Sequence, residues 1–236
     1  MKKMIVAILS IFLWANTSTA KPLYIGFVER PPHIYANADG SIRGLLGKQL
    51  QDIFKRARVE SELVRTFPKD IDKLIGRVDL NGFIATKTLM DDPDNYLFTD
   101  EPLFILDFYV YHLATTPSIA GLSELKNTSV ILPIPLNSFE GPLKEHLIDQ
   151  TNKVTVHSDQ SNLEQQIILL RKNRAKYAIS YFGPNNIALM FSKRANRDDI
   201  QSSQLFELPM YFVLKKSVDD APNIMHRVNL AYAESR

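Results

Sequence analysis

The 236-residue chain has no cysteine, only nine glycines and one tryptophan, and no excess of either charge, with 28 basic against 26 acidic residues. Each shortage excludes something. Without cysteine there is no disulfide, no thiolate metal ligand and no lipid carried on an N-terminal thiol. Charge this evenly balanced provides no basic surface able to neutralise a phosphate backbone, which argues against nucleic acid as a partner. No apolar run reaches the roughly 20 residues needed to cross a bilayer. Low-complexity tracts and internal repeats are also missing.

What is present begins with "MKKMIVAILSIFLWANTSTA". Lys2 and Lys3 precede an apolar stretch from Met4 to Trp14, and Ser18 and Ala20 occupy the two positions a signal peptidase reads. This predicts a cleavable signal peptide over residues 1–20 and a mature, monomeric periplasmic chain starting at Lys21. Cleavage removes Lys2 and Lys3, leaving 26 basic residues against 26 acidic ones. The mature part is long enough to bury a sizeable core as one large domain or two small ones.

Periodicity then gives an α/β order. "PLYIGFVE" reads as a strand that stops at Pro31-Pro32, and Asp39-Gly40 is a turn signal. Leu45, Leu46, Leu50, Ile53, Phe54 and Ala57 recur at helical spacing, which predicts a helix with one buried stripe. "ESELVRTF" follows as a strand, "KDIDKLIG" as a short helix and "VDLNGFIA" as another strand. Alternation of this kind favours a mostly parallel sheet. "LFILDFYVYHL" is apolar, aromatic and long enough to cross from one compact unit to another. After it the pattern restarts with "NTSVILPIP" as strand, a helix from about Phe139 to Asp149, "KVTVH", the helix "SNLEQQIILLRKN", "KYAISYF" and the helix "PNNIALMFSKR". "LPMYFVLKK", from Leu208 to Lys216, is a second crossover run. Two such runs bracketing an inserted α/β unit predict two lobes: residues 21–106 with 212–236, and residues 107–211.

Five segments in this order resemble the family 3 extracellular solute-binding proteins, the polar amino-acid binders of ABC importers and their sensory relatives. They are "YIGFVERPPHIYANADGSIRGLLGKQL", "LIGRVDLNGFIATKT", "LFTDEPLF", "GLSELKNTSVIL" and "MYFVLKKSVDDAPNIMHRVNLAYAES". The resemblance implies a two-lobed type II periplasmic-binding fold with a double hinge connection, closing on a small polar solute and presenting it to an ABC permease, sensor or chemoreceptor. It also implies three anchors for an amino acid: threonines at a strand end, an arginine three residues later, and an acid on the second lobe. Thr86 and Thr88 match the first anchor. Asp91 stands at the arginine position and Phe182 at the acid position, so both charged anchors are replaced.

Losing one partner of a buried charge pair costs about 2–5 kcal/mol. The sequence therefore leads us to expect a cationic, neutral or cyclic ligand. Lys87 offers no substitute cation, because strand alternation points it away from the Thr86/Thr88 face. Each candidate residue also has a plain structural reading. Asp91 and Asp92 before Pro93 suit a helix N-terminus as well as a ligand contact. Thr86 and Thr88 also suit an ordinary strand. Glu29, Arg30 and Tyr35 flank the Pro-Pro loop at the expected cleft mouth, where solvated loops carry the same residue types. Asn137 and Ser138 either meet the ligand or cap the following helix. Tyr181 and Phe182 form an apolar wall of the cleft or pack in the core.

His33, His112, His146, His157 and His226 are scattered without metal-ligand spacing, and no P-loop, dinucleotide or nucleophile-elbow motif occurs. No metal, cofactor or catalytic residue is expected. The alternatives to solute capture are an interaction or sensory module with little ligand binding and, behind it, a dehydratase- or lyase-like enzyme for which Glu29 is the one nameable carboxylate.

Overall fold

The computed structural model describes residues 21–66, 77, 79–90, 92–133, 136, 139, 141–157, 162–185 and 199–236. The leader, the helix expected over "KDIDKLIG", most of the one expected over "PNNIALMFSKR", and the site candidates Asp91, Asn137 and Ser138 lie outside the described residues.

The fold grows from strands buried on both faces. In β1 (Leu23–Val28) every residue except Tyr24 is buried, as a central parallel strand requires. β1 pairs in parallel with β4 (Ser61–Thr66) on one side and β5 (Gly82–Ala85) on the other. Between them, the short hairpin of β2 (Tyr35–Ala36) and β3 (Ile42–Arg43) leads into helix α1 (Leu45–Arg56). Leu46, Leu50, Ile53 and Phe54 are the buried stripe of α1; Leu45, expected in that stripe, is exposed at the first turn. After β5, the short strand β6 (Tyr96–Phe98) leads into β7 (Phe104–Leu113).

The second half repeats the plan. β8 (Ser129–Ile131) pairs in parallel with β9 (Thr155–His157) and with β10 (Tyr177–Ser180), and β10 runs antiparallel to β7. Helices α2 (Pro142–Ile148) and α3 (Leu163–Arg171) connect these strands. The chain returns along β11 (Ile200–Lys215) and ends in α4 (Ala221–Ala233), which packs beside α1.

β11 joins the halves. Its first part, Ile200–Met210, pairs antiparallel with β7; at Tyr211–Leu214 it changes partner to β5, and Val213–Lys215 also pairs with β6. Among the described residues the result is one nine-stranded path running β4-β1-β5-β11-β7-β10-β8-β9, with β6 beside β11. β7 and β11 are the double connection between the lobes.

Three expectations need correction. β11 starts at Ile200 rather than Leu208, because Gln201, Ser202, Ser203 and Gln204 take ladder positions opposite His112 to Tyr109 despite their polarity. α2 starts at Pro142, not near Phe139; Gly141 turns the chain at φ 68° and Pro142 supplies the first-turn φ. Asp92 caps no backbone amide of the one-turn helix Pro93–Asn95, and its carboxylate instead accepts from the Asn95 side-chain amide at 2.6 Å.

Phe212 lies where the partner change occurs, opposite Ile84, fully buried and edge-on to Phe54 at 5.1 Å. Phe212→Ala is expected to cost about 3–5 kcal/mol in urea unfolding. Ile105→Ala, at an exposed position on β7, is expected to change stability by less than about 0.5 kcal/mol.

Candidate functional site

Ligands of open α/β sheets bind beyond the carboxyl ends of the strands. In the first lobe those ends belong to β1 and β5. Their register pairs Ile25 with Gly82 and Gly26 with Phe83. Continued beyond the ladder, it sets Glu29 level with Thr86 and Arg30 one step further out.

The loop after β1 is folded tightly back on itself. The Arg30 N–H donates to the Ile34 carbonyl at 2.8 Å, and the His33 N–H donates to the Arg30 carbonyl at 2.8 Å. The His33 carbonyl then accepts from Leu46 N–H at 2.9 Å and Gly47 N–H at 3.4 Å, satisfying amides that the first turn of α1 leaves open. Gly44 makes this junction possible. It sits at φ 92°, and a Cβ there would lie 2.5 Å from the Pro32 carbonyl oxygen.

This packing turns Arg30 and His33 inward. Arg30 is only 7% exposed. The His33 ring lies 4.7 Å from that of Phe104 on β7 and 6.3 Å from that of Tyr181, just past β10 in the second lobe. Arg30, His33, Ile84, Phe104 and Met210 line a hollow of about 10 Å³ between the first lobe and the hinge strands. That is roughly the room one water needs. A larger groove of about 900 Å³ lies at the opposite, amino end of the strands, around Tyr24, Asn81 and Lys215.

The second lobe contributes aromatic surface. Tyr181 is 6% exposed, stacks on Phe182 at 4.9 Å and meets Phe108 edge-on at 6.4 Å. Phe182 is pinned through its backbone: its N–H donates to Ser180 Oγ at 3.2 Å, and its carbonyl accepts from the Tyr111 hydroxyl. Across the gap, the Thr86 and Thr88 hydroxyls are 3.3 Å apart. A Cβ on Gly141, at the start of α2, would stand 3.4 Å from Thr88 Oγ1. Among the described residues Thr88 approaches Gly141, and the His33 ring approaches that of Tyr181.

Electrostatics sharpen the second contact. Burial holds the His33 imidazole below its ordinary value of 6.5, reinforced by Arg30 and opposed by the Tyr181 carbonyl and Asp107. Burial raises the Tyr181 phenol, and Arg30 draws it partly back. Asp107 is raised by burial and then by Glu207, which lies directly opposite across β7 and β11; Gln204 donates to both carboxylates at 3.2 and 2.9 Å. His33 Nε2 is buried without a hydrogen-bond partner among the described residues.

The sequence candidates fall into three groups. Thr86 and Tyr181 are buried, Thr88 is exposed beside Gly141, and Phe182 stacks on Tyr181. Glu29 and Tyr35 belong to the loop that frames it. The Glu29 carboxylate accepts from Ala36 N–H at 2.9 Å and pairs with Arg65 at 2.8 Å, so it ties the β2–β3 hairpin to β1. Asp91, Asn137 and Ser138 are outside the described residues. Lys87 points away from Thr86 and Thr88, its ammonium 4.4 Å from the Tyr211 ring centroid and 5.6 Å from that of Phe98.

Sequence reasoning placed Arg30 beside Glu29 and Tyr35 at the Pro-Pro loop without giving it a role, and read His33 as one of the scattered histidines. It left the cleft without a cation, whereas the structure buries the Arg30 guanidinium at the end of β1. The available signal was position: both residues directly follow a run buried on both faces, at the end where ligands of this sheet type bind.

No protein-family model matches the chain, and no curated protein matches it. Solved structures do. A histidine kinase sensor domain with similarity to periplasmic binding proteins matches with a TM-score of 0.64 at 15% identity, over 91% of this chain and 90% of that one. The GluR0 ligand-binding core in complex with L-glutamate matches with a TM-score of 0.59 at 22% identity, over 92% and 95% of the two chains. Holo ArgBP from T. maritima matches with a TM-score of 0.58 at 16% identity, over 90% and 89%. At these identities the likeness is one of fold, and the fold is the two-lobed periplasmic-binding-protein type.

His33 is charged more readily when unfolded than when folded, so it supports the fold above pH 6.5 and that support is lost as pH falls through its lowered folded value. Urea unfolding of the wild-type protein and His33→Gln between pH 7.5 and 5 is expected to show a steeper loss of stability in the wild type. Parallel curves would assign the pH dependence to other groups.

Proposed function

We propose that this chain is a periplasmic solute-binding protein that captures a small polar molecule between its lobes and presents the closed form to a membrane partner, an ABC permease or a sensor. It acts as a monomer without enzymatic activity. The observation that carries this reading is the convergence of Arg30, His33, Thr86 and Thr88 from one lobe on Tyr181 and Gly141 of the other, at the carboxyl ends of β1 and β5. A solute there is enclosed when the lobes close, and closure becomes a shape that a partner can recognise. We place the lobes at 21–106 with 212–236 and at 107–211, a division supported by the partner change of β11 between Met210 and Tyr211. The leader pattern supports export. Among the described residues no helix is long and apolar enough to cross a membrane.

A second reading is favoured by one observation: the hollow beside Arg30 and His33, between the first lobe and the hinge strands, is only about 10 Å³. Lobes already packed on their own side chains suit an interaction or sensory module that works with little ligand. An enzymatic role for Glu29 is disfavoured by its engagement with Arg65 and the Ala36 amide.

Thermal unfolding against a panel of amino acids, small acids, polyamines and nucleosides separates the readings. A bound solute at one hundred times its Kd stabilises by about 2.7 kcal/mol. For a chain of this size that raises Tm by roughly 5–10 °C. The interaction module predicts no shift with any solute, together with retention on detergent-solubilised membranes of the host.

A further inference from the structure

We infer that His33 is an acid-sensitive latch between the lobes: the neutral ring holds the loop after β1 against Tyr181, and the protonated ring lets the lobes part. The inference concerns lobe motion without solute, so it goes beyond the solute-binding reading and does not rest on it.

Geometry puts the ring at the joint. His33 belongs to the first lobe, Phe104 to the hinge strand β7 and Tyr181 to the second lobe; the His33 ring lies 4.7 Å from the first aromatic and 6.3 Å from the second. Its backbone is fixed on both sides. The His33 N–H donates to the Arg30 carbonyl at 2.8 Å, and the His33 carbonyl accepts from Leu46 N–H at 2.9 Å. The side chain is therefore the part of this residue that answers a change of charge. Hydrogen-bond supply sets the direction of that answer. A neutral imidazole carries one N–H and a protonated one carries two. In this arrangement the Tyr181 carbonyl acts on the ring as an acceptor, while Nε2 is buried without a hydrogen-bond partner among the described residues. Protonation adds a donor inside a hollow walled by Ile84, Phe104 and Met210, beside the Arg30 guanidinium. A buried donor without an acceptor is unfavourable, and parting the lobes gives it water.

The charged and titratable neighbours come from several elements. Arg30, on the same loop, repels a positive charge on the ring. Asp107 of β7 attracts one, but burial and then Glu207, opposite on β11, hold the Asp107 carboxyl above its ordinary value. Burial keeps the Tyr181 phenol neutral by raising it. Leu46 of α1 and Ile84 of β5 add apolar surface. Burial outweighs the Tyr181 carbonyl and Asp107, so the ring sits below its ordinary 6.5. Once the lobes part, water restores the ordinary value. A group that is harder to protonate with the lobes together than apart shifts the population toward parted lobes as pH falls. The shift begins near pH 6.5 and is complete below the lowered value.

The test is the distance between the lobes in solute-free protein, read between spin labels at Lys48→Cys on α1 and Glu145→Cys on α2 at pH 7.5 and pH 5. With His33 in place, the ratio of closed to open molecules is expected to be at least about threefold lower at pH 5. His33→Gln and His33→Phe do not titrate, and the second keeps an aromatic ring beside Phe104 and Tyr181. In each the ratio is expected to change by less than about 1.5-fold over the same range. Circular dichroism establishes which variants fold, and either one suffices for the comparison. Should neither fold, the midpoint of opening in the protein that retains His33 decides, and a midpoint above 6.5 overturns the inference. A ratio that ignores pH, a shift toward closed molecules on acidification, or an equal pH response in a folded His33 variant also overturns it. Each of these results leaves solute binding intact, because the solute panel tests that separately.

Discussion

The architecture depends on the antiparallel pairing of β7 with β11. Among the described residues these two long strands join the half-sheets, and the ladder from Ile200 opposite Leu113 to Met210 opposite Phe104 pairs them along their length with a one-residue register shift between Gln204 and Phe206. On one face Phe108 stacks on Phe206 at 4.5 Å; at the adjoining pair Asp107 faces Glu207, with Gln204 bonded to both. β11 then leaves β7 for β5, so the same strand that completes the second lobe also fixes where the carboxyl end of β5 points. Backbone pairing resists stretching far more than twisting, which makes a two-strand connection suited to rotation of one lobe against the other.

The cleft inherits its chemistry from that frame. The β1–β5 register extended past the ladder sets Glu29 level with Thr86, and the tight loop after β1 brings the His33 ring to Phe104 on β7.

Much of the fold was legible in the sequence because burial and periodicity coincide. β1, β5 and β10 are short apolar runs buried on both faces, and α1 shows its stripe at helical spacing. The hinge was half legible. "LFILDFYVYHL" announces itself as a strand, but after Ile200 its partner carries four polar residues, exposed at Gln201 and Gln204 and half-buried at Ser202 and Ser203, and a sequence pattern reads these as a loop. The site was less legible still. Thr86 and Thr88 were named through family resemblance and Tyr181 from its place at a strand end. Glu29 was named for a charge that the structure uses to hold a hairpin. Arg30 and His33 looked like ordinary loop residues, because nothing local reveals that the loop turns them toward Tyr181, far away in the chain.

The central claim is that the lobes turn about β7 and β11 and close on the contact between the Arg30–His33 loop and Tyr181. A distance between the lobes tests it most directly, and a chain without cysteine permits two unique spin labels, at Lys48→Cys on α1 and Glu145→Cys on α2. The account predicts a short, narrow distance distribution in this background and a longer, broader one once Arg30→Ala is added. Identical distributions with and without Arg30→Ala would contradict it.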